Sequence, residues 1–153
     1  MKIRLAREDD AEAISELLTE SGREYFQDFS AKGLARYIED FSPAKVRERL
    51  RSPEYRYYLA MAGNELAGFC AIRGENHLYN LFTAKAFQRK GIARKLWGRA
   101  LDDIRKSGTT EVTVNASSHA VPAYERLGFV RTSETRDVDG IVFNPMIFQM
   151  ARR

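Results

Sequence analysis

The sequence predicts an α/β fold in which a mixed, mostly antiparallel sheet carries helices on both faces. Two strand-like runs joined by Gly63 and Asn64 indicate an antiparallel hairpin. A strand–helix–strand–helix–strand segment follows this meander, and that order gives a mixed sheet with helices on both sides. The chain has 153 residues without a repeat, a low-complexity tract or a linker, so we expect a single domain spanning residues 1–153.

The first third of the chain is predicted to form one strand and three helices. The opening residues alternate apolar and basic side chains, as an edge strand does. Helix starts are indicated by the acidic pair before Ala11, by Ser30 and by Ser42–Pro43, and Gly22 is expected to stop the first helix. The predicted strand covers residues 2–7, and the predicted helices cover 9–22, 30–41 and 42–50.

The rest of the chain is predicted to supply six strands and two helices. The longer helix has an apolar stripe that includes Trp97, and Gly108 closes it. Pro122 fits only the first turn of the shorter helix, and Asp139–Gly140 joins the last two strands. The predicted strands cover residues 55–62, 66–73, 77–83, 112–115, 130–136 and 141–150, and the predicted helices begin near 91 and 120.

A glycine-bearing turn at Phe87–Ala93 lies between a buried strand and the longer helix. Such a turn exposes free backbone N–H groups at the positive end of a helix dipole, which is an anion site and most naturally a phosphate site. Gly91 permits close backbone approach to a ligand. An ordinary polar turn is the competing interpretation.

Positive charge is concentrated at this turn and its helix. Eight basic and two acidic residues lie between Lys85 and Lys106, so this stretch carries +6 and the remainder of the +4 chain about −2. A ligand with several phosphates fits this local excess. A nucleic-acid surface is disfavoured, because the excess is local and lacks interleaved stacking aromatics.

Three motifs in order resemble the GCN5-related N-acetyltransferase (GNAT) family. Residues Gln88–Ala93 fit its Gln/Arg-x-x-Gly-x-Gly/Ala signature, Val112–Ser117 resembles its next strand, and Ala123–Phe129 resembles its signature helix end. The resemblance implies the GNAT acyl-CoA N-acyltransferase fold, with a parallel pair of strands that splays apart. It also implies acetyl-CoA as co-substrate.

The resemblance assigns cofactor-binding roles to residues on both sides of the splayed pair. Gln88 shapes the turn, and Asn115 contacts a cofactor amide unless it is a turn-forming residue. The strand before the turn pairs with the pantetheine arm through Leu81, Phe82 and Thr83, and an N–H of Leu81 or Phe82 polarises the thioester carbonyl. The pyrophosphate contacts are the N–H groups of Arg89, Lys90, Gly91, Ile92, Ala93 and Arg94.

Tyr124 and His77 are the candidate catalytic residues. A phenol can protonate the thiolate that leaves a thioester, and Tyr124 lies one turn inside the short helix; a core aromatic is the alternative. His77 stands fourteen residues before Gly91, where several family members place a glutamate base. A structural role for His77 stays open, as do water-mediated roles for Glu75 and Tyr79.

The sequence therefore predicts an N-acetyltransferase that transfers acetyl directly to a primary amine in a ternary complex. Cys70 lies in an apolar strand, so it is expected to be a core residue away from the site and to form no acyl-enzyme. No metal is implied, since the two His and one Cys lack ligand spacing. A non-catalytic acyl-CoA-binding module is the alternative hypothesis, and a nucleic-acid-binding domain is a weaker one.

The sequence also gives expectations for the acceptor and the cellular context. A small-molecule or peptide amine is expected, and a cytoplasmic setting follows from the lack of a signal pattern or a spanning apolar run. The family resemblance allows a homodimer through the last strands. Either a solvated surface or an acidic acceptor pocket is indicated by Glu24, Tyr25, Asp28, Glu39 and Asp40.

Overall fold

The structure, a computed structural model, describes residues 1–150 and contains eight strands and five α-helices. The strands are β1 Lys2–Leu5, β2 Tyr55–Ala62, β3 Glu65–Arg73, β4 His77–Thr83, β5 Glu111–Ala116, β6 Val130–Arg131, β7 Arg136–Val138 and β8 Ile141–Gln149. The helices are α1 Ala11–Tyr25, α2 Ala31–Glu39, α3 Pro43–Arg51, α4 Ile92–Lys106 and α5 Val121–Arg126. Three 3-10 turns lie at Glu8–Asp10, Lys85–Phe87 and Ser118–Ala120.

The strands form one mixed sheet in the order β1-β2-β3-β4-β5-β8-β6, and β7 also pairs with β8. Every pairing is antiparallel except that of β4 with β5. This parallel pair is joined at only two positions, His77 with Thr113 and Leu78 with Val114. Beyond these positions the two strands separate, which confirms the predicted mixed sheet with a splayed parallel pair.

Helices cover both faces of the sheet, as predicted. On one face, the stripe of α4 that contains Leu96 and Trp97 packs on the sheet. On the other face, α1 and α3 enclose a second core around Ile14 and Phe69. The side chain of Ile92, rather than that of Ala93, provides the first buried turn of α4. Two cores therefore pack against opposite sides of the sheet.

Two predicted bounds are wrong. Helix α1 runs through Gly22 to Tyr25, because Gly22 is buried against α2, where a Cβ would lie 3.5 Å from Ile38 Cδ1. The predicted strand 130–136 is divided into β6 and β7. Pro145 of β8 has no N–H to donate, so the ladder ends where the N–H of Thr132 bonds the Pro145 carbonyl.

The turn between β7 and β8 docks on the start of α2. The N–H of Ser30 donates to the carbonyl of Gly140 at 3.0 Å, and the Ser30 hydroxyl caps the helix by accepting from the Gly33 N–H. A Cβ on Gly33 would lie 2.3 Å from the Gly140 oxygen. Only glycine at this position lets the hairpin reach the helix.

Among residues 1–150, none of the helices combines the length and the apolar character that a bilayer crossing requires.

The docking of the hairpin predicts that Gly33→Ala is destabilising. The added methyl must displace the Gly140 backbone, and we expect unfolding free energy to fall by about 1–3 kcal/mol. Urea denaturation measures this loss. Gly98→Ala in α4 is the matched control, because a Cβ there meets nothing within 4 Å. The control should gain up to about 1 kcal/mol from helix propensity. Equal stability of the two variants would contradict the docking.

Candidate active site

Two cavities open where β4 and β5 separate. The larger, of about 480 Å³, extends between the start of α4 and α5. The smaller, of about 190 Å³, lies between β4, the end of α1 and the first residues of β8. Four residues line both cavities and so form the junction between them. They are Tyr25, Leu81, Ala120 and Tyr124.

The turn before α4 presents its amides to the larger cavity. Gly91 takes a φ of 77° and begins the helix, and the first helical hydrogen bond runs from the Lys95 N–H to the Gly91 carbonyl. The N–H groups of residues 92–94 therefore have no partner within the helix. Gln88 holds the turn to the preceding strand by donating from Nε2 to the Thr83 carbonyl at 3.3 Å. Free amides at a helix start are the arrangement that anions favour.

The structure brings most of the predicted cofactor residues to the larger cavity. Its walls include Leu81, Thr83, Gln88, Arg89, Gly91, Ile92, Ala93 and Arg94. Three predicted residues lie elsewhere. Phe82 and Asn115 line the smaller cavity, and the ammonium of Lys90 lies 5.6 Å from the Phe87 ring centroid.

Tyr124 stands at the junction of the two cavities. It lies on α5, is 7% exposed, and contacts Phe129 edge to face at 5.5 Å. Burial raises the pKa of its phenol well above the ordinary value of 10, with smaller contributions from Cys70, Tyr37 and Tyr25. The side chain is therefore a neutral phenol that can donate a proton at any physiological pH.

Cys70 lies closer to the site than its sequence position predicts. It is the cross-strand partner of Leu81, and it contributes to the raised pKa of Tyr124. Yet its side chain is 0% exposed, and burial raises the pKa of the thiol. A buried neutral thiol is a poor nucleophile, so its role as a core residue is retained.

His77 lies at the paired end of the parallel strands and lines the smaller cavity. Its Nδ1 is 2.8 Å from Thr113 Oγ1. Burial, with a smaller contribution from the Arg73 guanidinium, lowers the pKa of His77 to about 4. The imidazole is consequently neutral near pH 7 but a weak proton acceptor.

The two other candidate bases occupy different surroundings. Tyr79 lines the smaller cavity, and burial raises the pKa of its phenol. Glu75 is exposed in the turn before β4 and lines neither cavity.

Asn80, Tyr37 and Arg73 also line the smaller cavity, although sequence patterns did not select them. Asn80 is 3% exposed, and it is a polar residue within an apolar strand, which is a signal visible in the sequence. A β-bulge at Tyr79 turns it toward the cavity, since the register passes from Ala71–Asn80 to Ile72–Leu78. Tyr37 lies on α2, so only tertiary packing brings it here.

Of the acidic and aromatic residues in the first two helices and the segment between them, only aromatic ones line the smaller cavity. Aromatic side chains wall the smaller cavity, with Tyr25 among them. The carboxylates lie elsewhere: Glu24 Oε1 is 3.6 Å from His119 Nε2 beside the larger cavity, and Asp28 bonds Ser118. Glu39 and Asp40 are exposed. These side chains do not form an acidic acceptor pocket.

Fold and site together define an α/β domain with a cleft between two parallel strands and, at its mouth, a turn of free backbone amides. Residues 25–150 match the model of the family described as "Acetyltransferase (GNAT) domain". The chain belongs to the GNAT acetyltransferase family.

One curated relative and several solved structures are similar to this chain. An uncharacterized N-acetyltransferase of Bacillus subtilis (strain 168), YsnE, is 30% identical over 91 residues, which are 54% of this chain and 60% of YsnE. The match thus spans less than two thirds of that relative.

Two crystal structures share the fold over almost their whole length. A GCN5-related N-acetyltransferase from Rhodopseudomonas palustris has a TM-score of 0.84 at 18% identity, with 97% of this chain and 95% of the other covered. The PaiA N-acetyltransferase from Thermoplasma acidophilum, in complex with coenzyme A, has a TM-score of 0.77 at 23% identity, with 97% and 99% covered. At these identities the likeness establishes the fold.

The lowered pKa of His77 predicts a loss of stability in mild acid. Between its ordinary value of 6.5 and about 4, the unfolded chain binds a proton that the folded chain does not. Unfolding free energy should therefore fall as pH drops through this window. We expect a loss of about 1 kcal/mol from pH 7 to pH 5, after allowance for the partly exposed ring. Denaturant unfolding at both pH values measures it.

His77→Gln should remove that loss, and His119→Gln should retain it. Asp10 has a lowered carboxyl pKa, so its contribution to the pH dependence of unfolding free energy appears only below about pH 4. It therefore does not affect the comparison between pH 7 and pH 5. An unchanged pH dependence in His77→Gln would contradict the assignment.

Proposed function

We propose that this protein is an acetyl-CoA-dependent N-acetyltransferase that transfers acetyl directly to a primary amine in a ternary complex. The observation that carries the proposal is the meeting of the two cavities at Leu81 and Tyr124. A thioester delivered through the larger cavity and an amine held in the smaller one would react at this junction. Holding both reactants in one place removes much of the entropic barrier to their reaction.

Acetyl-CoA is proposed to occupy the larger cavity. The amides at the start of α4 would bind its pyrophosphate, with Arg89 and Arg94 adding charge. The pantetheine arm would run along the free side of β4 past Thr83 to Leu81, where the parallel ladder is open. A main-chain N–H at Leu81 or Phe82 would then stabilise the oxyanion.

The proposed reaction is aminolysis of the thioester. The neutral amine attacks the carbonyl carbon, a C–N bond forms, the C–S bond breaks, and the thiolate leaves. Tyr124 gives its phenolic proton to the leaving sulfur, and burial keeps that proton in place until charge develops. The proton lost from the amine nitrogen passes to solvent, and Tyr124 is reprotonated in turn.

The ammonium form of the acceptor must lose a proton before it can attack. A primary amine has a pKa near 10.4, so something must accept its proton before attack. His77 remains the candidate base, acting through Nε2, since Nδ1 bonds Thr113. With a pKa of about 4, it works best as one member of a water chain rather than as a strong base. Tyr79 lines the same cavity and can share that chain.

The weak basicity of His77 also favours a second candidate, a non-catalytic acyl-CoA-binding module. Such a module would bind CoA and acetylate no amine in a broad panel. The proposed enzyme would acetylate at least one small-molecule or peptide amine in the same panel. A spectroscopic assay of released thiol separates the two.

Removal of the Tyr124 hydroxyl should reduce turnover without reducing cofactor affinity. We expect Tyr124→Phe to lower kcat by about 10²- to 10⁴-fold, the range typical of general acids. The ring still fills the same space, so the CoA dissociation constant from calorimetry should stay unchanged. Tyr58→Phe is a control, because that hydroxyl bonds Asp103 on α4. Undiminished kcat in Tyr124→Phe would refute the acid assignment.

Removing the positive charges near the turn should weaken CoA binding, because it removes contacts to the phosphate groups of CoA and leaves the contacts to its pantetheine arm. We expect Arg89→Gln combined with Arg94→Gln to raise the CoA dissociation constant by about tenfold, at about 0.5–1 kcal/mol for each exposed charge. Pantetheine, which has no phosphates, should bind as it does to the unaltered protein. Lys106→Gln, at the far end of α4, is the charge control. Equal weakening for pantetheine would place the phosphates elsewhere.

A further inference from the structure

The charge of the smaller cavity is unusual for a site that receives a cationic amine. Among the residues that line it, Arg73 is the one permanent ion, and no carboxylate is included in its described walls. The ion pairs of residues 1–150 do not engage Arg73. An ammonium entering alone would therefore meet a like charge without compensation.

A second cation, Arg49, lies near Tyr79, one of the residues that line the smaller cavity. The guanidinium carbons of Arg73 and Arg49 are 5.4 Å and 5.6 Å from the Tyr79 ring centroid. Arg49 Nη1 is buried without a hydrogen-bond partner among the described residues. Two guanidinium groups thus flank the Tyr79 ring, and Arg73, the one that lines the cavity, keeps donors that no ion pair of the described residues uses. A planar anion is the ligand that matches such donors.

Asn80 supplies a hydrogen-bond acceptor at the end of the smaller cavity that is nearer the junction. Its Oδ1 is buried without a partner among the described residues, and the next residue along β4 is Leu81, which lines both cavities. A buried amide oxygen needs a donor. An amine N–H poised to attack a thioester at Leu81 would provide that donor.

We propose that the acceptor is a small amine that also carries a carboxylate, with Arg73 binding the carboxylate and Asn80 accepting a hydrogen bond from the amine. This inference rests on the proposed function and names its substrate class. The two polar groups lie on one face of the sheet, because Arg73 pairs with His77 and the bulge turns Asn80 to that side. The donor at the end of β3 and the acceptor on β4 thereby face the same cavity at different positions along the sheet.

The remaining walls limit the body of the acceptor. Aromatic rings from α1, α2 and the segment between them, among them Phe29 and Tyr37, close the cavity on one side. Its volume of about 190 Å³ suits a molecule with few atoms. Apolar carbon between the amine and the carboxylate, or a side chain beside them, would pack on these rings.

Matched amines with and without a carboxylate test the proposal. Phenylalanine is compared with phenethylamine, and 4-aminobutyrate with butylamine, in acetyl-CoA assays of the full chain. We expect the better carboxylate-bearing amine to exceed its partner in kcat/KM by about 10- to 100-fold, the usual range for a charge-assisted contact. The two pairs also tell whether the carboxylate lies close to the amine or several carbons away.

Three variants assign the contacts. Arg73→Gln should abolish the preference, mainly through KM, while Arg99→Gln should keep it, because Arg99 stacks at 5.6 Å on Tyr58 outside the cavity. Asn80→Leu, of similar size, should lower kcat/KM for every amine whether or not it has a carboxylate. Thermal unfolding confirms that each variant is folded.

The outcomes separate the inference from the function on which it rests. Equal or better acetylation of the carboxylate-free amines, or an unchanged preference in Arg73→Gln, overturns the inference and leaves the acetyltransferase proposal standing. If CoA binds and no amine in a broad panel is acetylated, both are overturned.

Discussion

The brevity of the parallel ladder between β4 and β5 is the constraint on which the site depends. Two paired positions join the strands, and beyond them the backbone edges diverge. A sheet normally closes such a gap, because unpaired backbone groups buried away from water are costly. Here the two cores on opposite faces hold the strands in place, so the gap persists. Both cavities begin in it, and Tyr124 stands at its edge.

The two cavities are polarised in ways that suit different parts of one reaction. Amides and cations at the start of α4 favour an anion far from the chemistry, where binding energy can be gained without holding the reacting atoms too tightly. The junction itself contains a neutral phenol whose ionisation is suppressed. Beyond it, Arg73 sets the charge of the smaller cavity, and burial, with a smaller contribution from Arg73, lowers the pKa of His77. The sites are thus distinguished by electrostatics as well as by shape.

Local sequence patterns predicted the fold and the glycine turn before α4, but only part of the smaller cavity. The strands 55–62 and 77–83 have the predicted bounds, since period-two patterns and the turn at Gly63 are local signals. Gly91 is predicted from its place in the turn between strand and helix, which is also a local signal, and the structure gives it a φ of 77°. Tyr37 and Asn80 depend on the packing of α2 and on a bulge, neither of which periodicity reveals. The continuation of α1 past Gly22 has the same origin, because tertiary contact with Ile38 outweighs helix propensity.

Several residues have features that lower the stability of the fold, and two of them, Arg89 and Asn80, line the cavities. Arg89 adopts a left-handed φ of 63° in the turn, and Arg49, Tyr57 and Asn80 bury polar atoms without partners among the described residues. Each feature costs free energy that a simpler side chain would recover. A chain selected for stability alone would replace them, whereas a ligand that supplies the missing partners makes them useful. Of these groups, the Asn80 amide lies on the wall of the smaller cavity, where a donor on a bound molecule would satisfy its oxygen.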